Sequence, residues 1–302
     1  MKTLLKKLLL FCSPILVWYA VVFITDPYEY FQKPWWGNVR VREWICRQVD
    51  YNRLYYIMSY KKSPKPNIIL GSSLTEYLDV KQIPGKNWAN FSMGGASILE
   101  EMHWFWHIAK DNKIDSVVFC VDPYNYLNTK PVPTVTYQAI EASESPVKYI
   151  MNNNVGRATF QILQATLKGK TKRSHSYNPK AKEAFWRYQM KKHGNHFKRV
   201  PDLKWEDDKM KEVVDYCKEN NITLLPIVPM MHKDVIDLGQ QFKDERFVPA
   251  MKEVFGTFTD FWYVNEYTEN RDHFGDPLHV NNHDVYLNTI WGNDKSFFRV
   301  VK

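Results

Sequence analysis

The sequence predicts an α/β fold, a parallel sheet with helices on both faces, preceded by one N-terminal transmembrane helix. Three observations carry that reading. The strand candidates are short and apolar along their whole length, as in Ile68-Ile69-Leu70 and Val117-Val118-Phe119, the pattern of strands covered on both sides. Between them lie stretches with helical spacing, long enough for the crossovers that parallel strands require. The chain also opens with a long uncharged run bounded by lysines.

That run comes first in the chain. Lys2, Lys6 and Lys7 precede Leu8–Ile24, 17 residues without a charge. At 1.5 Å per residue such a helix reaches roughly 25 Å, the short end for a membrane span. Leu4 and Leu5 lengthen its apolar face if Lys6 and Lys7 extend their stems toward the headgroups. A cleaved signal peptide is the competing reading, but no small-x-small site follows the apolar core, where the chain reads Trp18-Tyr19-Ala20-Val21-Val22. Bulky Phe11 before Cys12 argues against a lipid-modified cysteine. Lysines on one side, with Asp26 and Glu29 on the other, orient the remainder outside the cytoplasm. Tyr28, Tyr30, Phe31, Trp35 and Trp36 would then form an outer aromatic belt. The organisation predicted is a cytoplasmic tail over 1–7, an anchor over 8–24, a juxtamembrane neck over 25–66 and a catalytic domain over 67–302. A buried N-terminal helix of a soluble protein is the plainer alternative, disfavoured by the lysine cluster.

Within the neck, Val39–Met58 reads as an amphipathic helix ended by Lys61-Lys62-Ser63-Pro64-Lys65-Pro66. Strands are expected at Asn67–Leu70, Trp88–Phe91, Val117–Val121, Ile222–Val228 and Phe258–Val264. Helices are expected at Leu74–Val80, from about Ser97 to Lys110, at Trp205–Asn220 and at His283–Trp291. Residues from about 128 to 200 interrupt the alternation and show no strand pattern. Between Lys168 and Arg199, eleven lysines and arginines stand against one acid, Glu183, in a chain whose net charge is +8, so the remainder is slightly acidic. A solvated face is the default for a charge run. An excess this one-sided fits a polyanion better: anionic lipid headgroups or an anionic cell-surface polymer. Nucleic acid is not expected, since no nucleic-acid motif is present.

At 302 residues with 44% apolar content, one large domain with additions fits better than two full domains. Aromatics reach 15%, with 11 Trp, 18 Tyr and 17 Phe, which points to carbohydrate or interfacial surfaces. Cys12, Cys46, Cys120 and Cys217 show no metal-ligand spacing; buried thiols are expected, with one disulfide among the last three as the alternative.

Two short signatures about 200 residues apart carry chemistry. Gly71-Ser72-Ser73-Leu74 follows the first strand, and Asp276-Pro277-Leu278-His279 lies near the end. Strand ends at the carboxyl edge of a parallel sheet are where sites gather, and Ser73 and the Gly94-Gly95 turn both fall there. A serine there, with a distant Asp-x-x-His, is one chain order for a Ser-His-Asp triad. The plainer reading makes the serines a cap and the Asp and His a surface loop. Asp272, His273, Asp276, His279, His283 and Asp284 crowd one stretch, but a metal site would leave the serine block unexplained, so no metal or cofactor is expected. His103 and His107 sit among Trp104, Phe105 and Trp106 as half-buried helix residues, and His232 follows a strand without an assigned role.

Gly71-Ser72-Ser73-Leu74 resembles the first block of the SGNH (GDSL-type) hydrolases, with Ser72 in place of the usual Asp. Asn90-Phe91-Ser92-Met93-Gly94-Gly95 is similar to the second block, and Asp276-Pro277-Leu278-His279 to the closing one. The third block, Gly-x-Asn-Asp, is missing; the chain reads Val121-Asp122-Pro123-Tyr124-Asn125 there. The resemblance implies a flavodoxin-like sheet, with Ser73 as nucleophile, His279 as base and Asp276 orienting it. It implies an oxyanion hole from the N–H groups of Ser73 and Gly95 and, as a candidate, the Asn125 amide. Ser72 is the alternative nucleophile. With an N-terminal anchor, Gly-Ser-Ser and Asp-Pro-x-His resemble most the membrane-anchored partners of membrane-bound O-acyltransferases. These are the teichoic acid D-alanyl transfer protein and the alginate and cellulose O-acetyltransferase-like proteins. The branch implies a single-pass protein of a bacterial cell membrane that moves a small acyl group onto a polysaccharide or teichoic-acid-like polymer. A multi-pass membrane O-acyltransferase would be its partner. An esterase using the same triad and a non-catalytic partner subunit are the competing functions.

Overall fold

The structure is a computed structural model. It describes residues 2–31, 39–48, 52–85, 87–169, 179–198, 200–292 and 299–302. In its first part the elements are α1 (Lys2–Thr25), α2 (Val39–Cys46), α3 (Asn52–Lys62), β1 (Asn67–Ser72), β2 (Trp88–Met93), α4 (Ile98–Asp111), β3 (Ser116–Cys120) and α5 (Pro123–Tyr126). A helical stretch follows: α6 (Thr134–Glu144), α7 (Pro146–Met151), α8 (Asn153–Leu167) and α9 (Pro179–Phe197). The chain then makes α10 (Lys204–Glu219), β4 (Thr223–Val228), α11 (Lys233–Phe242), α12 (Val248–Phe255), β5 (Phe258–Asp260), α13 (Glu266–Glu269), α14 (Asp284–Ile290) and β6 (Arg299–Val301).

Two compact units result. One joins residues 1–63 to 134–176 and the other joins 64–133 to 177–302. The first is helical. Just after α1 comes Asp26, a fully buried residue whose carboxylate accepts the N–H groups of Tyr30 and Phe31 at 2.8 and 2.9 Å and the Tyr149 hydroxyl of α7 at 2.8 Å. Tyr28, Tyr30 and Phe31 pack round the Tyr149 ring, with centroids 6.4, 4.7 and 5.7 Å away. The expected outward belt is therefore an inward cluster at these three positions, because Tyr149 offers the rings an apolar face; Trp35 and Trp36 lie outside the described residues. Among the described residues no helix is long and apolar enough to cross a membrane. The predicted single helix over Val39–Met58 is two, α2 and α3.

The second unit is the predicted α/β layer. Its six-stranded sheet runs β2-β1-β3-β4-β5-β6, parallel from β2 to β5, with β6 antiparallel at the edge. Ile68, Ile69 and Leu70 of β1 and Val117 to Cys120 of β3 are fully buried. Each such aliphatic side chain contributes roughly 2 kcal/mol by leaving water. The centre of the sheet is thus the most strongly held part of the unit. Strand order reverses between β1 and β3, which opens a crevice at their carboxyl ends. Neither strand pairing is long, so placement of the site depends on what caps these ends.

Helix caps fit the sequence signals. Ser97 accepts the Glu100 N–H at the start of α4, where Glu100 and Glu101 fill the first turn. Asp122 accepts the Tyr124 and Asn125 N–H groups at α5, with Pro123 at its first position. Leu74–Val80 is a run of turns, contrary to the expected helix. Asn90 Nδ2 donates to the carbonyls of Thr75 and Glu76 at 2.9 and 3.3 Å, taking the acceptors that helix propagation needs. β5 stops at Asp260, short of Val264, where the Asp260 carboxylate turns back to accept the Trp262 N–H. The unforeseen β6 is pinned there by Arg299, which donates to Asp260 at 2.8 Å beside Lys243 at 3.1 Å. The stretch expected as one insertion has no strand among its described residues, but it is divided: α6 to α8 belong to the helical unit and α9 to the α/β unit.

Candidate active site

Gly71 is where the strand end becomes crowded. A Cβ there would lie 2.4 Å from Thr75 Oγ1, 2.9 Å from Cys120 Cβ and 3.1 Å from Ser92 Oγ. Only glycine lets the loop after β1 fold back this closely. The two serines that follow, the last of β1 and the first of the turn, have different partners. Ser72 is fully buried and its hydroxyl donates to Asp122 Oδ2 at 2.8 Å while accepting the Leu74 N–H at 3.2 Å. Ser73 is half-exposed. Its Oγ lies 2.8 Å from Nε2 of His279, 206 residues away.

His279 completes the arrangement. Its Nδ1 is 2.8 and 2.9 Å from the two oxygens of Asp276. Asp276 Oδ1 also accepts the N–H groups of Leu278 and His279 at 2.9 and 3.1 Å, so the carboxylate is fixed by its own loop. That loop is closed by Gly275 donating to the His279 carbonyl at 2.8 Å and by the Phe274–Val280 bridge, both residues buried. His232 N–H donates to the Pro277 carbonyl at 3.0 Å, tying the loop to the end of β4. With Asp276 accepting, Nδ1 carries the proton and the lone pair of Nε2 faces the serine hydroxyl. Burial works against the imidazolium, but the hydrogen bond and charge of Asp276 outweigh it, with Asp122 and Glu76 adding, and His279 is raised above its ordinary value. Burial likewise raises Asp276, yet its bonds to His279 win and hold it below the usual carboxylate range. Such a set can move a proton from a hydroxyl to an imidazole while the carboxylate steadies the charge.

Of the other predicted residues, Gly95 lies at the same sheet edge, as expected, whereas Asn125 has another partner. Gly95 sits in a turn closed by Ala96 N–H donating to the Met93 carbonyl at 3.0 Å, with φ of +73°, a conformation that favours glycine. Register pairs Ser72 with Met93, so this turn and the Ser73 turn leave adjacent strand ends. Asn125 does not fill the expected role: its buried amide donates to Glu101 Oε1 at 2.8 Å. The physical reason is Glu101 itself, a buried carboxyl on α4 that takes the amide as donor. Burial pushes Glu101 well above the usual carboxylate range, and Asp122 is raised by burial too, against the bonds from Ser72, Tyr124 and Asn125. Neither acid was singled out from sequence. Asp122 carries a signal, an Asp-Pro just past an apolar strand; Glu101 carries none, since an acid in the first turn of a helix is ordinary.

Asp272, His273, His283 and Asp284 do not converge on a metal. Among the described residues no group of three or more His, Cys, Asp or Glu could hold an ion. His273 Nδ1 instead lies 3.0 Å from the Tyr267 carbonyl. All four cysteines are free thiols, and Cys46, Cys120 and Cys217 are buried. The basic stretch is represented in the α/β unit by α9, which exposes Arg187, Lys191 and Lys192, with Lys198 exposed just after it; residues 170–178 and 199 lie outside the described residues. Beside these cations the exposed rings of Phe185 and Tyr188 stack with centroids 6.4 Å apart.

A scan against family models and a search of curated proteins both find no match to this chain.

Proposed function

We propose that this protein is a membrane-anchored, extracytoplasmic serine O-acyltransferase of a bacterial cell surface, moving an acetyl or similar small acyl group onto a polysaccharide or teichoic-acid-like polymer. The observation that carries the reading is the 2.8 Å approach of Ser73 Oγ to His279 Nε2, with Asp276 behind the imidazole. As Ser73 attacks the acyl carbonyl, its proton passes to Nε2 and the imidazolium returns it to the leaving group. A polymer hydroxyl then attacks the acyl-serine, giving its proton to Nε2, and the imidazolium passes that proton to Ser73 Oγ as the acyl–serine bond breaks. N–H groups of Ser73 and Gly95 are the proposed oxyanion donors.

Two further features support the surface setting. Leu10, Phe11, Ile15, Leu16 and Val17 of α1 are exposed apolar residues, suited to lipid or to a multi-pass acyltransferase that delivers the acyl group. Tethering beside such a donor raises effective concentration without new contacts. The cations and stacked rings of α9 suit an anionic sugar polymer or lipid headgroups. Hydrolysis of the same acyl groups is the second reading, since the half-exposed Ser73 admits water. Incubating the full chain with p-nitrophenyl acetate and an oligosaccharide separates the two. Transfer predicts acylated sugar in excess of free acetate; acetate alone supports the esterase. No reaction, with no labelling of the wild-type protein by a fluorophosphonate, points to a non-catalytic subunit.

A further inference from the structure

Among the described residues, most exposed large apolar side chains lie in the helical unit, although it is the smaller of the two. Concentrations of this kind mark interaction or membrane-contact surfaces. On α1 they include Phe11, Leu16 and Val17, and on the two helices packed against α1 they continue as Met151 of α7 and Phe160 and Leu167 of α8. The pattern of α8 explains why its apolar residues are left outside. Val155, Ala158, Thr159 and Ile162 are buried on one face, while Asn153, Gly156, Arg157 and Phe160 recur at helical spacing on another. Trp18 of α1 packs over Gly156, where a Cβ would lie 3.4 Å from its Cζ2.

Between these helices lies an open groove of about 810 Å³, within the size range of small-molecule sites. Trp18 and Tyr19 of α1, Met151 of α7 and Phe160 of α8 give it apolar walls, with Met151 68% and Phe160 61% exposed. Its charge has one sign. Arg157 lines the groove, and α1, α7 and α8 contain no Asp or Glu. Lys148 of α7 already pairs with Glu141 at 3.3 Å, whereas Arg157 has no ion-pair or hydrogen-bond partner among the described residues. Asn152 is engaged elsewhere: its oxygen caps α8 and its amide donates to the Gln138 carbonyl at 3.3 Å. An open guanidinium matches a phosphate, which it can bind through two parallel N–H groups. Trp and Tyr rings suit the level where headgroup meets chain. A free anion or a sugar polymer would leave the aliphatic row of α1 bare; a phospholipid covers both the cation and the row.

We propose that this groove holds one anionic phospholipid, its phosphate on the Arg157 guanidinium and its acyl chains along Phe160, Met151 and the apolar row of α1. The inference rests on the membrane setting proposed above and is independent of the chemistry at Ser73. The test titrates the full chain, in a neutral detergent, with dioctanoyl phosphatidylglycerol and with dioctanoyl phosphatidylcholine, read by calorimetry. The expected result is a single phosphatidylglycerol per chain, bound about fivefold tighter than phosphatidylcholine, a preference that Arg157→Gln removes and Arg157→Lys keeps. Phe160→Ser should weaken both lipids. Equal affinity for the two lipids, or phosphatidylglycerol binding unchanged in Arg157→Gln, overturns the assignment. Inorganic phosphate bound as tightly as phosphatidylglycerol would mean a site for a free anion and overturns it too. So does a dimer in sedimentation that Phe160→Ser dissolves, which would put a second copy in the groove. Flotation with phosphatidylcholine vesicles tells the two failures apart: a chain that floats although the groove shows no preference keeps the membrane setting, and one that does not float loses both.

Discussion

The two sides of the β1 strand end make an instructive pair. On one side Ser72 donates to Asp122, next to Asn125 and Glu101, all of them buried; on the other Ser73 meets His279 and Asp276 in a half-exposed cleft. Both sides hold a serine and carboxylates. Only the second interposes an imidazole, the side chain most often used to take and return a proton, and keeps a route to solvent. On the proposed mechanism Ser72 is a strut and Ser73 the nucleophile.

The strongest way to break this contrast is to exchange the two positions. Ser73→Ala is expected to lower fluorophosphonate labelling and ester turnover by about 10⁴-fold or more with little change in melting temperature. Ser72→Ala leaves Asp122 Oδ2 and the Leu74 N–H without their partner, so it is expected to cost roughly 2 kcal/mol in stability while labelling stays within about tenfold. Urea titrations beside labelling rates check both. If Ser72→Ala silences the protein at full stability, the assignment of the two hydroxyls is reversed.

Asp276→Asn sharpens the reactive side. The acid limb of the wild-type labelling profile is expected above pH 6.5, because His279 must lose its proton to act and Asp276 raises it. An asparagine removes that charge and frees the imidazole to take the wrong tautomer. The limb should then move to lower pH while the plateau rate falls by about 10⁴-fold. A limb that stays in place would mean that Asp276 does not set the charge on His279.

The same pair shows how far the sequence could be read. Ser73, Asp276 and His279 were legible because each lies in a short pattern tied to backbone geometry: a glycine turn after an apolar strand, and an Asp that accepts the N–H groups two and three residues on. The central strands were legible for a related reason, since Ile68–Leu70 and Val117–Cys120 are apolar on both faces and are buried on both. Glu101 was not, because its meaning comes from Asn125, a partner brought close only by packing. An acid in a first helical turn is normally solvated. The turns after Ser73 escaped because Asn90, from the neighbouring strand, takes their carbonyls. Arg299–Val301 escaped because three residues carry no period; Asp260 makes them a strand.

The buried side yields the smallest and cleanest effect. Glu101 is raised well above the ordinary carboxylate range by burial, with Asp122 and Glu100 adding, against the Asn125 hydrogen bond. In the unfolded chain it ionises near pH 4.5, the unshifted value. Between that pH and its folded value the native state holds the extra proton, so its contribution is full below about pH 4.5 and is lost as pH rises. Glu101→Gln keeps the shape and an acceptor for Asn125 Nδ2 but cannot ionise. It is expected to change stability by under about 1 kcal/mol at pH 4 and to be the more stable protein at pH 8, with labelling unchanged. Thermal melts across that range check this: parallel curves for the two proteins would mean that Glu101 is ionised where it lies, balanced by a donor, and that the buried side of the strand end is a charged network instead of a neutral strut.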